Sequence, residues 1–250
     1  MNNFFYDILT VFWRDWLVLK RTLVKFMLSR MITPFLYILA FGLGLGRNIS
    51  VDGGSYLNFI IPGMLAMNSM NIAFSTVANP LNMARLYHHT LETYVISPIS
   101  SWAFIWGKVL SGIVRGLIST AIILLIAYAL GVQVCISGWF LPLLILNCGV
   151  FAALAIVAAM AMSTHEDMAN FSTYFLVPMS FLCGTFFKNE GFPVAIKYFL
   201  TVLPLTPASN ALRAVSNAQP VDWQWPLLMG FYFILFMCLA YWFVAKKREE

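Results

Sequence analysis

Long uncharged apolar stretches recur along the chain and alternate with short polar segments. A helix needs about 20 apolar residues to cross a hydrocarbon layer about 30 Å thick. We therefore predict an all-α polytopic membrane protein with a single transmembrane domain over residues 1–250. Its six transmembrane helices are predicted at 26–46, 56–77, 109–130, 139–162, 171–187 and 225–244.

The segment before the first predicted span, residues 1–25, carries apolar residues at helical spacing and charged residues on the other side. The apolar side is formed by Phe5, Ile8, Leu9, Phe12, Trp16, Leu19 and Leu23, and the charged side by Asp7, Arg14, Arg21 and Lys25. A helix of this kind lies in the plane of the membrane interface. We expect an amphipathic interfacial helix here, followed by a span whose first turns are bent at Pro34.

Two connections are longer than the others. Residues 79–107 form an amphipathic segment that contains histidines and is too polar to cross the bilayer. Between residues 188 and 224, four prolines interrupt an apolar stretch at 194–205 that is too short to span. We expect this second segment to form a re-entrant or interfacial helical hairpin before the last span.

Composition and charge placement refine this prediction. Apolar residues make up 61% of the chain and charged residues 10%, whereas about 25% is usual for a soluble domain. Arginines and lysines gather on the cytoplasmic side of membrane proteins. With six spans, eleven of them fall on the side of both termini and of the 79–107 segment, and four on the other side. Both termini are therefore predicted to be cytoplasmic.

Residues that could support chemistry are few. His88, His89 and Glu92 do not suit a metal site, because adjacent helical residues point about 100° apart. His165, Glu166 and Asp167 fit a polar loop cap better than a site. The four cysteines are scattered singly and are expected to be small buried apolar residues: Cys135, Cys148, Cys183 and Cys238.

No energy source is visible in the chain itself. The predicted spans hold no Asp or Glu in their apolar cores, and Arg115 lies near enough to the cytoplasmic border to snorkel. A phosphate-binding loop is absent, since Val109 follows Gly107-Lys108 where Ser or Thr is needed. If the chain drives transport, energy must arrive through a cytoplasmic surface, and residues 79–107 offer the longest one. An ion-coupled secondary transporter or channel, a membrane enzyme and an assembly subunit remain alternatives.

Two groups of motifs then point to a family. Thr90-Leu91-Glu92, Ser97-Pro98-Ile99-Ser100 and Gly107-Lys108 resemble the cytoplasmic signature of type-2 ABC exporter permeases, in which a short coupling helix docks on the ATPase. The run from Pro178 to Phe187, followed by Phe192-Pro193 and by Leu203 to Pro207, is similar to the fifth span and extracytoplasmic hairpin of that family. The order of these features covers essentially the whole chain.

The resemblance implies a non-catalytic permease of the bacterial inner membrane that acts as a homodimer with two copies of a soluble ABC ATPase. ATP and Mg would be bound by that ATPase, and this chain would hold no cofactor or metal and bind no nucleic acid. The cargo would be amphipathic: a lipid-linked saccharide, a drug or a polysaccharide. Glu92 would make a charged contact, Pro98 would stop the coupling helix, and Thr90, Leu91 and Ser97 would complete the coupling site.

Three asparagines of the second predicted span have two interpretations. Asn58, Asn68 and Asn71 suit a substrate path along the permease interface. They equally suit ordinary hydrogen bonds between neighbouring helices.

Overall fold

The computed structural model describes residues 4–40, 50–51, 54–87, 99–129, 132, 136–183 and 193–249. In this part the chain is almost entirely helical, as predicted. The helices are α1 (Phe4–Leu39), α2 (Tyr56–Leu86), α3 (Ser101–Ala129), α4 (Phe140–Ala161), α5 (His165–Phe171), α6 (Val177–Leu182), α7 (Val194–Val202), α8 (Leu205–Ser216) and α9 (Gln224–Glu249), with a π-helical segment at Ser172–Leu176. Strands β1 (Ser50–Val51) and β2 (Gly54–Ser55) pair antiparallel.

Five of the described helices are long and apolar enough to cross a membrane. They are α1, α2 from Phe59, α3, α4 and α9 up to Lys247. The predicted fifth span at 171–187 instead falls on two short helices and the π-helical segment between them, and its last residues lie outside the described part. The chain is thus a multi-pass helical membrane protein, with five rather than six such helices among the described residues.

Helix α1 combines two predicted elements. The expected interfacial helix and the start of the first span form one continuous helix of 36 residues, and it also contains Pro34. No glycine or proline interrupts residues 4–33, so the sequence holds no local stop signal there. The inward side of α1 includes Val11, Leu19 and Ile38, which are buried against the bundle. The predicted interruption near residue 25 is therefore absent.

Helices α2 and α4 form the centre of the bundle. About four fifths of the apolar window of each is buried, at 78% and 83%, against 11% for α1 and 17% for α9. Fully buried side chains such as Phe74 and Phe151 pack between the central helices. The exposed apolar side chains of α1 and α9 are those that hydrocarbon covers in a multi-pass membrane protein.

Helices α3 and α4 approach closely at two glycines. A Cβ atom on Gly112 would lie 2.7 Å from the Cβ of Ala152, and one on Gly116 would lie 2.5 Å from the Sγ of Cys148. Gly112 and Gly116 are four residues apart on one side of α3, the small-residue spacing that brings membrane helices together. Gly42 and Gly46 have the same spacing in the sequence, which predicts tight helix packing there too, but these two residues lie outside the described part.

The two long connections differ in their limits from the prediction. Helix α2 continues to Leu86 and α3 starts at Ser101, so residues 87–100 separate them instead of 79–107. Leu81 and Asn82 are buried, and this packing keeps the chain helical beyond Pro80. In the predicted hairpin region, α7 and α8 are two short helices separated by Leu203 and Pro204.

Three of the four cysteines are described. Cys148 and Cys183 are free and buried, as expected. Cys238 is also free, but it is exposed on the outer side of α9, so the expectation of burial is wrong there. Cys135 lies outside the described residues.

Aromatic contacts define the two ends of the bundle. At one end, which we call the loop end, Trp102 near the start of α3 stacks on Tyr241 in the last third of α9, with ring centroids 4.6 Å apart. At the other, the hairpin end, Trp139 before α4 meets Trp223 before α9 at 5.3 Å. Residues 87–100 belong to the loop end, because they join α2 to the start of α3.

Candidate functional site at the loop end

The predicted coupling residues lie in a part of the chain that the structure does not describe: Thr90, Leu91, Glu92, Ser97 and Pro98, together with His88 and His89. Their roles remain predictions. The described residues on either side belong to helix ends. The Tyr87 amide donates to the Met83 carbonyl at 3.0 Å. The Ser100 hydroxyl accepts from the Ala103 amide at 3.2 Å, as an N-cap does for α3.

Arg85 connects the end of α2 to the end of α4. Its Nη1 atom donates to the carbonyl oxygen of Ala159 at 2.8 Å and also to that of Met160. The last carbonyls of a helix have no donor within the helix, and they carry its partial negative charge. A cation at this position therefore stabilises the end of α4 and holds it to the segment that leads into residues 88–98.

A second contact joins α2 to the turn after α4. The Nδ1 atom of His165 lies 3.3 Å from the side-chain oxygen of Asn82, which is buried. Thr164 and Asp167 form a reciprocal capping box at the start of α5, with bonds of 2.9 and 3.0 Å. Of the three residues predicted to form a polar loop cap, Asp167 takes part in this box.

A charged cluster joins α1 to α3 near the same end. The Nζ of Lys108 lies 2.9 and 2.8 Å from the two carboxylate oxygens of Asp15. Arg115, two turns further along α3, donates from Nη2 to the main-chain oxygen of Asp15 at 3.2 Å. Val11, one turn before Asp15 in α1, lies beside Gly107 of α3. Earlier residues of α1 thus meet earlier residues of α3, so the two helices run in the same direction.

Arg115 also has a structural role that snorkelling does not explain. Its Nη1 donates to the carbonyl oxygen of Thr76 at 3.1 Å. Thr76 stands four residues before Pro80, which has no N–H group, so this carbonyl lacks its usual helical donor. A proline is tolerated inside a membrane helix when a neighbour satisfies the freed carbonyl. The side chain points inward, and the expectation that it snorkels outward is wrong.

The asparagines of α2 face other helices where they are described. The Asn68 amide donates to the Ser119 hydroxyl of α3 at 2.7 Å, and the Asn71 amide to the Ser180 hydroxyl of α6 at 3.4 Å. This geometry fits the interhelical interpretation. The side chain of Asn58 lies outside the described part, and a substrate path along these residues stays a prediction.

Sequence reasoning missed two residues of this polar interior. Asn147 of α4 is buried and donates to the Ser69 hydroxyl at 2.8 Å and to the Ala66 carbonyl at 3.1 Å. Asp15 lies on the inward side of α1, in helical register with Val11 and Leu19. An acid in line with buried apolar residues is itself a signal, because a charge at such a position needs a partner.

Metal chemistry finds no support in the described part of the chain. No group of three or more His, Cys, Asp or Glu side chains is placed there to hold a metal ion.

These features define a class of protein, a multi-pass helical membrane protein. At its loop end, hydrogen bonds connect the end of α2 to the end of α4, beside the segment that joins α2 to α3. Comparison with known proteins identifies the class further. Residues 6–216 match the family described as "ABC-2 type transporter". This chain therefore belongs to the ABC-2 type transporter family, and the prediction that it is the transmembrane permease subunit of an ABC transporter is confirmed.

Several bacterial proteins are similar to this chain. Nodulation protein J of Rhizobium meliloti (strain 1021) is 25% identical over 216 residues, which cover 85% of this chain and 82% of the relative. Nodulation protein J of Bradyrhizobium diazoefficiens is 26% identical over 226 residues, covering 87% and 84%. The inner membrane transport permease YadH of Escherichia coli (strain K12) is 28% identical over 187 residues, covering 74% and 68%.

Proposed function

We propose that two copies of this chain form the membrane part of an exporter and work with two copies of a soluble ABC ATPase. The ATPase binds ATP and Mg, and this chain transmits the resulting movement. Family membership supports the ATPase partner. The sequence supports the assignment of ATP binding to a separate chain, because this sequence holds no phosphate-binding loop.

The loop end faces the cytoplasm in this proposal, and both termini lie on that side of the bacterial inner membrane. Arginines and lysines gather on the cytoplasmic side of membrane proteins. The loop end carries Arg85 and Lys108, and α9 brings Lys246 and Lys247 to the same end. A relative described as an inner membrane transport permease supports the choice of membrane.

The coupling surface is the segment between α2 and α3, with contacts from Thr90, Leu91, Glu92, Ser97 and Pro98. The observation that carries this proposal is the bond from Arg85 to the last carbonyls of α4. A push on residues 88–98 reaches Arg85 within a few residues. Because Arg85 holds the end of α4, the push moves the two central helices of the bundle together.

The cargo in this proposal is an amphipathic compound, such as a lipid-linked saccharide, a drug or a polysaccharide. The length of the chain and the style of its hairpin region resemble those of permeases for such compounds, and this resemblance supports the choice. We also propose that residues 171–187 form a further span, the fifth along the chain, and that residues 188–224, which include α7 and α8, form a re-entrant hairpin on the outer side. Asn58, Asn68 and Asn71 then lie on the second crossing helix, beside the substrate path.

Copurification with the ATPase tests the coupling proposal. The tagged chain is purified from its native membrane in mild detergent, beside the charge reversals Glu92→Arg and Asp222→Arg. Asp222 is an exposed acid at the hairpin end and serves as the matched control. We expect a soluble ABC ATPase at a ratio near one to one with the wild type and Asp222→Arg, and its loss with Glu92→Arg.

Two outcomes would contradict the proposal. Equal recovery of the ATPase with both charge reversals would place the coupling contact elsewhere. Recovery of the well-folded chain alone, with gradient-driven uptake into vesicles, would favour an ion-coupled carrier or a channel.

A further inference from the structure

A cavity of about 180 Å³ lies between α1, α2 and α3 beside the charged cluster. Of the described residues that line it, three are cations and one is an acid: Arg14, Lys108, Arg115 and Asp15. The remaining wall comes from one turn of α1 and two turns of α2, including Val18, Thr76 and Pro80. The cavity is therefore a recess that carries more positive than negative charge, and its wall combines these charged groups with apolar side chains.

The hydrogen bonds of the cluster leave positive charge in this recess. Both carboxylate oxygens of Asp15 accept hydrogen bonds from the Lys108 ammonium group, so these two residues form an ion pair. The guanidinium of Arg115 donates to two main-chain oxygens, which are neutral. Its Nε atom is buried and has no hydrogen-bond partner among the described residues. Arg115 also lies close to the Asp15 charge, so Lys108 and Arg115 together bring two positive charges to one acid. A further anion would match the remaining charge.

The position of the recess along α1 indicates where its ligand comes from. Val18 lines the cavity, yet 57% of this residue is exposed on the outer surface of α1. Trp13, which is 58% exposed, stands one turn earlier, and tryptophan is typical of the headgroup level of a membrane. The recess thus borders both the bundle interior and the exposed surface of α1. We expect this part of α1 to lie at the depth of lipid headgroups.

We propose that this recess binds the phosphate group of an anionic lipid, with its acyl chains along the exposed apolar side of α1. Arg14 and Arg115 contact the phosphate, since a guanidinium matches phosphate oxygens in charge and geometry. Lys108 adds charge but stays paired with Asp15. This site is distinct from the coupling surface, and its existence does not rest on the proposed function, because the ATPase takes no part in it.

Native mass spectrometry of the full chain tests the proposal. The protein is released from nanodiscs that contain equal amounts of phosphatidylglycerol and phosphatidylcholine, and the retained lipids are counted. We expect preferential retention of phosphatidylglycerol by the wild type. Arg14→Gln should lower that preference about tenfold, the usual effect of losing one hydrogen bond to a charged group. Arg21→Gln removes a cation from an exposed position of α1 outside the recess and should retain the preference.

A second variant and a competition arm complete the test. Arg115→Lys keeps the positive charge but loses the planar set of N–H donors. It should therefore retain less phosphatidylglycerol, while its melting temperature stays within a few degrees of the wild type. Inorganic phosphate at millimolar concentration should not displace the lipid. Displacement by phosphate with no preference between the two lipids would identify a soluble anion and overturn the lipid assignment. An equal loss in Arg14→Gln and Arg21→Gln would overturn the site itself.

Discussion

Arg115 of α3 donates a hydrogen bond to the carbonyl oxygen of Thr76 in α2, the acceptor that Pro80 leaves without its helical donor. The bond accounts for two residues that are unusual in a membrane helix, an arginine and an internal proline. It also fixes α3 against α2, about four turns along α3 from the segment that connects them. The first prediction separates this role of Arg115 from its charge.

Restoring the missing donor should make Arg115 less important. In Pro80→Ala the residue 80 amide can bond Thr76 directly, so adding Arg115→Met should cost less stability than it does in the wild-type background. The loss in the free energy of unfolding caused by Arg115→Met should differ between the two backgrounds by about 0.5–3 kcal/mol, the usual range for residues that share one hydrogen-bond network. Thermal unfolding of the four proteins in detergent gives this double-mutant cycle. Equal losses in the two backgrounds would show that the Thr76 bond contributes nothing.

Replacing Arg85 should uncouple transport from ATPase binding. Arg85→Met removes the donor to the Ala159 carbonyl but leaves residues 88–98 unchanged. We expect the ATPase to copurify normally, while transport in proteoliposomes falls about tenfold, as for the loss of a hydrogen bond from a charged group. Arg85→Lys should retain part of the activity, because an ammonium keeps the charge without the fork of a guanidinium. Loss of ATPase binding in Arg85→Met would instead place this residue in the docking surface.

Crowding the contact between α3 and α4 should destabilise the bundle. In Gly116→Ala the new methyl group would meet the Sγ of Cys148 at 2.5 Å, and overpacking of this kind costs about 1–3 kcal/mol. Adding Cys148→Ala removes that sulfur and should recover most of the loss. Gly230→Ala is the matched control, since nothing lies within 4 Å of its new methyl group. Melting temperatures in detergent compare these three variants with the wild type, and an unchanged value for Gly116→Ala would contradict the packing described.

The asparagines of the bundle allow structural and transport roles to be separated. Asn147→Ala should lower stability most, because the Asn147 amide is buried and donates to two oxygens. Asn68→Ala should cost about 0.6 kcal/mol, the average for hydrogen bonds between membrane helices. Denaturation and transport assays on both variants distinguish the roles. If Asn68→Ala changes transport with unchanged stability, Asn68 belongs to the substrate path.

Local sequence was sufficient for the class of protein and for most helix positions. Apolar stretches with clear ends predicted both ends of α4 and the start of α9 to within one residue of their positions in the structure. The cap before α5 was also predictable, since Thr164 and Asp167 satisfy each other's backbone amides. These features depend on residues that are neighbours in the chain.

Tertiary contacts decided what the sequence could not. The extension of α2 beyond Pro80 and the inward position of Arg115 depend on partners 39 to 100 residues away. Hydropathy reports how apolar a stretch is, but not which side of a helix meets another helix. The sequence by itself determined a multi-pass helical membrane protein, because the cost of leaving backbone groups unbonded in hydrocarbon permits little else. Only the tertiary structure decided which polar side chains pair inside the bundle, because that depends on how the helices pack against one another.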